Sequence, residues 1–252
     1  MNIRSVAGSQ PTNNLLTTAL DYAQRGWQVI PLHNPVEGRC SCRNGVTCSS
    51  PGKHPRIPWK EGGSTEPAVI REWWRHWPDA NVGIVTGPVS GLLILDIDGE
   101  QGRKSLRALE QQHGQLPDTW SVTTGSGGVH LYFRWPRGLK IRNSAKKIAP
   151  GIDIRGDGGY VVAPPSLHQS GRHYVLNETA IAPVECPDWM LTLLQSPPGR
   201  EPKKANVVER SAKAGATTTS YVVLDSISVW ACLGLRSKQR CSPRTGKSVS
   251  HR

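Results

Sequence analysis

The sequence predicts an α/β (α+β) fold, a mixed β-sheet flanked by helices. Two observations carry this. Apolar runs of strand length interleave with stretches of helical periodicity, and hairpin-like strand pairs crowd the second half of that region. The regular alternation of apolar runs and turn residues stops after Ser196-Pro197-Pro198-Gly199, which sets a domain over 13–198 apart from a flexible 1–12 and a basic tail over 199–252.

Asn13 or Asn14 caps a first helix through Leu15, Leu16, Ala19, Leu20 and Tyr22, which Gly26 ends. Trp27 to Leu32 reads as a strand. Residues 33–60 form a loop rich in Gly, Pro, Ser and Cys, too long for an ordinary connection and therefore expected to be functional or stapled by a metal. Thr65 caps a second helix, with Pro67 in its first turn and Ile70, Trp73, Trp74 and Trp77 along it. That aromatic stripe reads as core packing plus an edge rather than a base-stacking surface. Strands at 82–86 and 92–98 flank a Gly87-Pro88-Val89-Ser90-Gly91 turn. A helix over 99–113, closed by Gly114, follows, and then strands at 120–124, 129–135, 151–155 and 160–163.

The chain has 252 residues, a net charge of +12 and a pI near 9.8. A polyanionic partner suits that charge. The basicity is uneven: residues 199–252 hold 11 Lys/Arg against 3 Asp/Glu, and the other 198 residues hold 20 against 16. It therefore argues only weakly for nucleic-acid binding by the main body. No apolar run approaches the ~20 residues that span a bilayer, and the polar N-terminus lacks a signal peptide's apolar stretch. The expectation is a cytoplasmic protein with no membrane partner. Cysteines stand at 40, 42, 48, 186, 232 and 241, a pattern unlike a secreted disulfide framework.

Four constellations carry chemistry. Leu92-Leu93-Ile94-Leu95-Asp96-Ile97-Asp98-Gly99 places two carboxylates in an apolar run. Strand side chains alternate, so Asp96 and Asp98 share a face while Leu93, Leu95 and Ile97 point into the core. Paired carboxylates repel and resist burial, and Mg²⁺ or Mn²⁺ would neutralise them. A plain strand end with Asp98 capping the next helix is the other reading. Cys40-x-Cys42-x5-Cys48-x5-His54 supplies the four soft ligands of a structural Zn²⁺, with His33 a substitute ligand and free surface thiols the alternative. Thr124-Gly125-Ser126-Gly127-Gly128-Val129-His130 feeds a glycine-rich turn into a strand. Its backbone N–H groups can approach phosphate, although a plain hairpin would look the same. In Gly151-Ile152-Asp153-Ile154-Arg155-Gly156, Asp153 and Arg155 share a face: a same-face salt bridge, or a third metal carboxylate beside a phosphate-binding guanidinium.

In combination, Asp96-x-Asp98, Gly-Ser-Gly-Gly-x-His130 and Gly-x-Asp153-x-Arg-Gly-x-Gly-Gly-Tyr-x-Val-Ala-Pro-Pro-Ser166 resemble the bifunctional DNA primase/polymerase (Prim-Pol) domain of the archaeo-eukaryotic primase superfamily. The stretch Trp73-Trp74-x-x-Trp77-Pro78-x-Ala80-Asn81-Val82-Gly83-Ile84 and the loop ending Gly52-Lys53-His54-Pro55 are similar to the same family. The resemblance covers about 13–195. One departure is that the family's second motif often places Ser two residues before the His, where Gly128 stands here.

The resemblance implies an archaeo-eukaryotic primase-like core with a zinc-binding loop inserted. Asp96, Asp98 and Asp153 would hold two divalent ions. His130 and the Ser126, Gly127, Gly128 turn would bind nucleotide phosphates, with Arg155 a further candidate. The zinc loop would help grip the template or the initiating nucleotide. It implies a nucleotidyltransferase working on single-stranded DNA with dNTPs or NTPs, in a phage, plasmid or other mobile element, with a replicative helicase as partner. A catalytically weak single-stranded-DNA-binding initiation module and a metal-dependent nuclease are the competing expectations. The tail reads either as disordered basic chain or as a frameshifted or truncated end.

Overall fold

The computed structural model describes residues 14–177 and 182–195. The expectations for 1–12 and for the basic tail lie outside them. In chain order the elements are α1 (Asn14–Gln24), β1 (Val29–Leu32), β2 (Pro35–Val36), β3 (Arg39–Cys40), α2 (Trp59–Gly62), α3 (Pro67–His76), β4 (Asn81–Val85), β5 (Leu92–Ile97), α4 (Gly99–His113), β6 (Ser121–Thr123), β7 (Val129–Arg134), β8 (Ser144–Ala149), β9 (Ile152–Arg155), β10 (Tyr160–Ala163), β11 (Val175–Asn177), β12 (Val184–Glu185) and α5 (Asp188–Gln195). The class is α+β. No helix among the described residues is long and apolar enough to cross a membrane.

The strands form two main sheets, where the sequence had suggested one. A three-stranded sheet runs β1-β4-β10, and a seven-stranded sheet runs β11-β6-β7-β5-β9-β8, with β12 added beside β7. Every pairing is antiparallel except the two-residue β12–β7 pair, which makes the larger sheet mixed. A small β2–β3 hairpin opens the cysteine loop.

Two apolar clusters explain the layering. One joins Ala19 and Tyr22 of α1, Ile70 and Trp74 of α3, the three-stranded sheet, and Leu92, Ile94 and Tyr132 of the larger sheet. The other packs Leu93, Leu95, Ile152 and Ile154 against Met190 and Leu194 of α5 and Leu106 and Leu109 of α4. Strand β5 is thus buried on both faces, not on one as its alternation suggested. A strand covered on both sides reads as a continuous apolar run, as this one does until Asp96.

Several boundaries shift. Helix α3 starts one residue later than the Thr65 cap implied: Glu66 holds the cap position and makes no side-chain cap bond. The Ser64 hydroxyl accepts the Glu66 amide instead. Trp74 is buried with its indole N–H on the Ala80 carbonyl, and Trp73 and Trp77 pack half-buried against the same cluster, so the tryptophan stripe is core plus an edge. Strand β5 stops at Ile97, and Asp98 sits at the N-cap position of α4 without a side-chain cap bond. The unforeseen elements β8, β11, β12 and α5 are short or polar. Ser144-Ala-Lys-Lys-Ile-Ala has no apolar alternation, and pairing with β9 makes it a strand.

Helix α4 sits unusually close to the turn before β9. A Cβ on Gly102 would come 2.4 Å from the Gly151 carbonyl oxygen. The Asp98 amide donates to that same carbonyl at 2.8 Å, and the Gly102 amide donates to the Asp98 carbonyl at 2.9 Å. Gly102 therefore sets where Asp98 stands. We expect Gly102→Ala to lose about 1–3 kcal/mol of stability through overpacking, read by urea denaturation at unchanged m-value.

Candidate active site

The site is built by strand register. In the larger sheet Asp96 of β5 lies opposite His130 of β7 on one side and Asp153 of β9 on the other. Directly opposed residues of antiparallel strands project to the same face. One row across three strands therefore reads His130, Asp96, Asp153. Asp98 extends the row's face beyond the end of β5, and Arg155, two residues after Asp153, shares it.

These groups converge. Asp96, Asp98 and Asp153 each offer an oxygen, and the three oxygens lie within 4.8 Å of one another. Arg155 donates to Asp96 Oδ2 at 2.9 Å (Nη2) and 3.2 Å (Nε), and to Asp153 Oδ2 at 3.1 Å. His130 Nε2 stands 3.4 Å from Asp96 Oδ1, while His130 Nδ1 is buried without a hydrogen-bond partner. Burial alone would raise the Asp96 pKa. The nearness and charge of His130 and then Arg155 outweigh it and hold that carboxyl well below the usual carboxylate range. Asp98, at the open rim, moves the other way: desolvation and then the charges of Asp96 and Asp153 push its pKa up. Three carboxylates converge here on one bridging guanidinium and one imidazole. That donor set suits a hard divalent cation with oxygen ligands, and is compatible with Mg²⁺ or Mn²⁺.

A cavity of about 330 Å³ opens over this row. Thr124 and Ser126 of the glycine-rich turn line it, with Tyr174 and Asn143. Gly127 and Gly128 do not line it, and Thr124 takes both their amides, the first on its carbonyl and the second on its hydroxyl. Gly128 answers a different need. A Cβ there would lie 2.7 Å from the Ile97 carbonyl oxygen, so only glycine lets the turn approach the end of β5. Arg103 of α4 donates to the Gly127 carbonyl and Arg172 to the Gly125 carbonyl, bracing the turn from both sides. Burial and then the Asp96 and Asp98 charges raise the Tyr174 pKa, so its phenol stays protonated.

The cysteine loop also lines the cavity, through Ser50, Lys53 and His54. Cys40, Cys42, Cys48 and His54 bring their ligand atoms within 4.8 Å of one another, and the cysteines are free. His54 Nε2 is 3.4 Å from both Cys40 Sγ and Cys48 Sγ. A zinc tetrahedron with bonds of about 2.3 Å to sulfur and about 2.0 Å to nitrogen has an S···N edge of about 3.5 Å. The cluster is compatible with Zn²⁺. His33 is not part of it: its ring stacks on His54 at 4.4 Å and its Nδ1 meets the Ser41 hydroxyl. Burial, then the Arg56 charge, lowers the His54 pKa, which favours the neutral ring that a metal ligand needs.

Two residues of the quoted motifs turn out to be braces. Asn81 Nδ2 donates to the Gly52 and Leu167 carbonyls, and Ser166, fully buried, accepts the Val82 amide on its hydroxyl. They fasten the cysteine loop and the segment after β10 to the small sheet. Sequence reasoning passed over Lys53, Asn143 and Tyr174. Only Lys53 carried a signal, its place next to His54.

The family description "bifunctional DNA primase/polymerase, N-terminal" matches residues 19–189. The chain belongs to this Prim-Pol family. Membership supports a DNA primase/polymerase function in general, and with it a DNA template and nucleotide substrates. No curated protein matches the chain.

Two outcomes follow from this geometry. Arg155→Met removes the guanidinium that bridges Asp96 and Asp153, so the metal-free protein loses on the order of 2 kcal/mol at neutral pH, and added Mg²⁺ restores part of its melting temperature. Because the Asp96 pKa is depressed, this loss holds above the unfolded carboxylate value of about 3.9 and shrinks as pH falls below it. Atomic absorption on the purified chain should find one zinc per molecule, and His54→Ala should lower that content.

Proposed function

We propose that the chain is a DNA-dependent primase/polymerase that makes or extends primers by two-metal nucleotidyl transfer, in the replication of a phage, plasmid or other mobile element. The observation that carries this reading is the convergence of Asp96, Asp98 and Asp153 on one sheet face beneath a cavity large enough for a nucleotide. Single-stranded DNA is the template and dNTPs or NTPs are the substrates.

Asp96, Asp98 and Asp153 hold the divalent ions. When bound, such ions lower the pKa of the attacking hydroxyl and neutralise charge on the leaving pyrophosphate. The protein's own groups do the positioning, which supplies much of the rate in phosphoryl transfer. Arg155, bridging Asp96 and Asp153, keeps the two carboxylates aligned, and its remaining N–H donors are candidates for a phosphate oxygen. Ser126 and Thr124 offer hydroxyls from the turn, and His130 sits at the inner end of the row. Tyr174 supplies a neutral phenol, a donor that adds no negative charge to an anionic substrate. The Cys40/Cys42/Cys48/His54 loop contributes Ser50, Lys53 and His54 to the lining.

Extension of a labelled primer on single-stranded template with Mg²⁺ or Mn²⁺ tests this. Wild type should release pyrophosphate as the primer grows, and Asp96→Ala or Asp98→Ala should reduce incorporation at least 10³-fold, the scale of losing a charge-stabilising group at a reacting centre. Wild-type rates in folded Asp96→Ala would remove the site. Shortening of the DNA without pyrophosphate release would make the same carboxylates a nuclease centre.

A further inference from the structure

We infer that Lys53 is a substrate-binding residue, a cation that the cysteine loop presents to the triphosphate of the incoming nucleotide from across the glycine-rich turn. The inference rests on the nucleotidyl-transfer reading of this cavity.

Four observations lead there. First, Lys53 lines the same cavity as Asp96, Asp98 and Ser126, although it comes from a loop far away in the chain. Second, its backbone is fixed. The Tyr160 hydroxyl donates to the Lys53 carbonyl at 3.1 Å, Asn81 to the Gly52 carbonyl at 2.9 Å, and the His33 amide to the His54 carbonyl at 2.9 Å. Gly52 has φ +73°, and a Cβ there would meet the Pro35 ring at 2.7 Å, so the chain takes this path only with glycine before the lysine. Third, the other strong cation of the cavity, Arg155, is held on Asp96 and Asp153, whereas no carboxylate among the described residues pairs with Lys53. Fourth, the charge of Lys53 is felt next to the turn. His168 packs against Gly125, and the pKa of His168 is lowered by burial and then by the charges of Lys53 and Arg172.

A lysine on a held backbone, with no carboxylate partner among the described residues, in the same cavity as a metal-type carboxylate cluster suits a polyanion that bridges the two. A nucleoside triphosphate has that shape and charge. The four-ligand cluster next to Lys53 then does more than hold the loop: it sets the height of this cation above the turn.

The test measures equilibrium binding of a dNTP and of inorganic tripolyphosphate to the full chain, with Ca²⁺ as a non-turnover metal, alongside KM for nucleotide and for primer-template. Lys53→Met keeps the stem and removes the charge. It should weaken both ligands roughly tenfold, the worth of one charge-assisted hydrogen bond. Lys53→Arg should recover most of the loss. Zinc content, melting temperature and KM for DNA should stay at wild-type values. Unchanged affinity for tripolyphosphate in Lys53→Met overturns the inference, as does a loss that falls on the primer-template. If Lys53→Met unfolds, Lys53→Arg decides alone: wild-type affinity supports a cationic contact, and a loss as large as tenfold overturns it. The failures are separable, because active Asp96→Ala enzyme would remove the nucleotidyl-transfer reading whatever Lys53 does.

Discussion

Like charge is the constraint around which this molecule is arranged. Three carboxylates project from adjoining positions of a sheet that packs apolar clusters on both faces. Their repulsion would push the strands apart or force protonation. Arg155 meets it from within the sheet, contacting two of the three acids, and His130 meets it from the neighbouring strand. At Asp98 desolvation, and then the charges of Asp96 and Asp153, outweigh the more distant Arg155 and His130 and push the pKa up. The cluster is held together by these cationic contacts, and a hard divalent cation suits its oxygen donors.

The second half of the cavity has a different origin. It comes from a loop whose shape is set by four clustered ligand groups, by a glycine in a left-handed conformation, and by Asn81 reaching up from the small sheet. One side of the site is held by ladder hydrogen bonds and the other by a staple. This division lets the sheet carry the reacting groups while the loop shapes what lies over them.

The sequence made much of this legible. Asp96 and Asp98 stood out because carboxylates interrupt a buried run, and the cysteine spacing announced a cluster. The antiparallel register that sets Asp153 beside Asp96 was not legible, because pairing partners depend on contacts 57 positions apart in the chain. The split into two sheets was hidden for the same reason. The edges of the larger sheet were missed because β8 lacks apolar alternation and β11 is only three residues long, so both draw their order from a neighbour. In the glycine-rich turn, composition suggested open amides, but the Thr124 hydroxyl and carbonyl consume two of them, and at Gly128 glycine serves close packing.

The pleat gives the β8–β9 hairpin an evolutionary signature. A strand that slips by one place turns every side chain to the other side. In β9 that would bury Asp153 under α4 and α5 and lift Ile152 and Ile154 into the cavity. The hairpin already carries an irregularity between Ser144 and Ala149, which absorbs mismatch on the outer strand and leaves β9 in step with β5. Variation at the exposed positions of this hairpin is therefore tolerable where it changes chemistry. A single inserted or deleted residue within β9 is not.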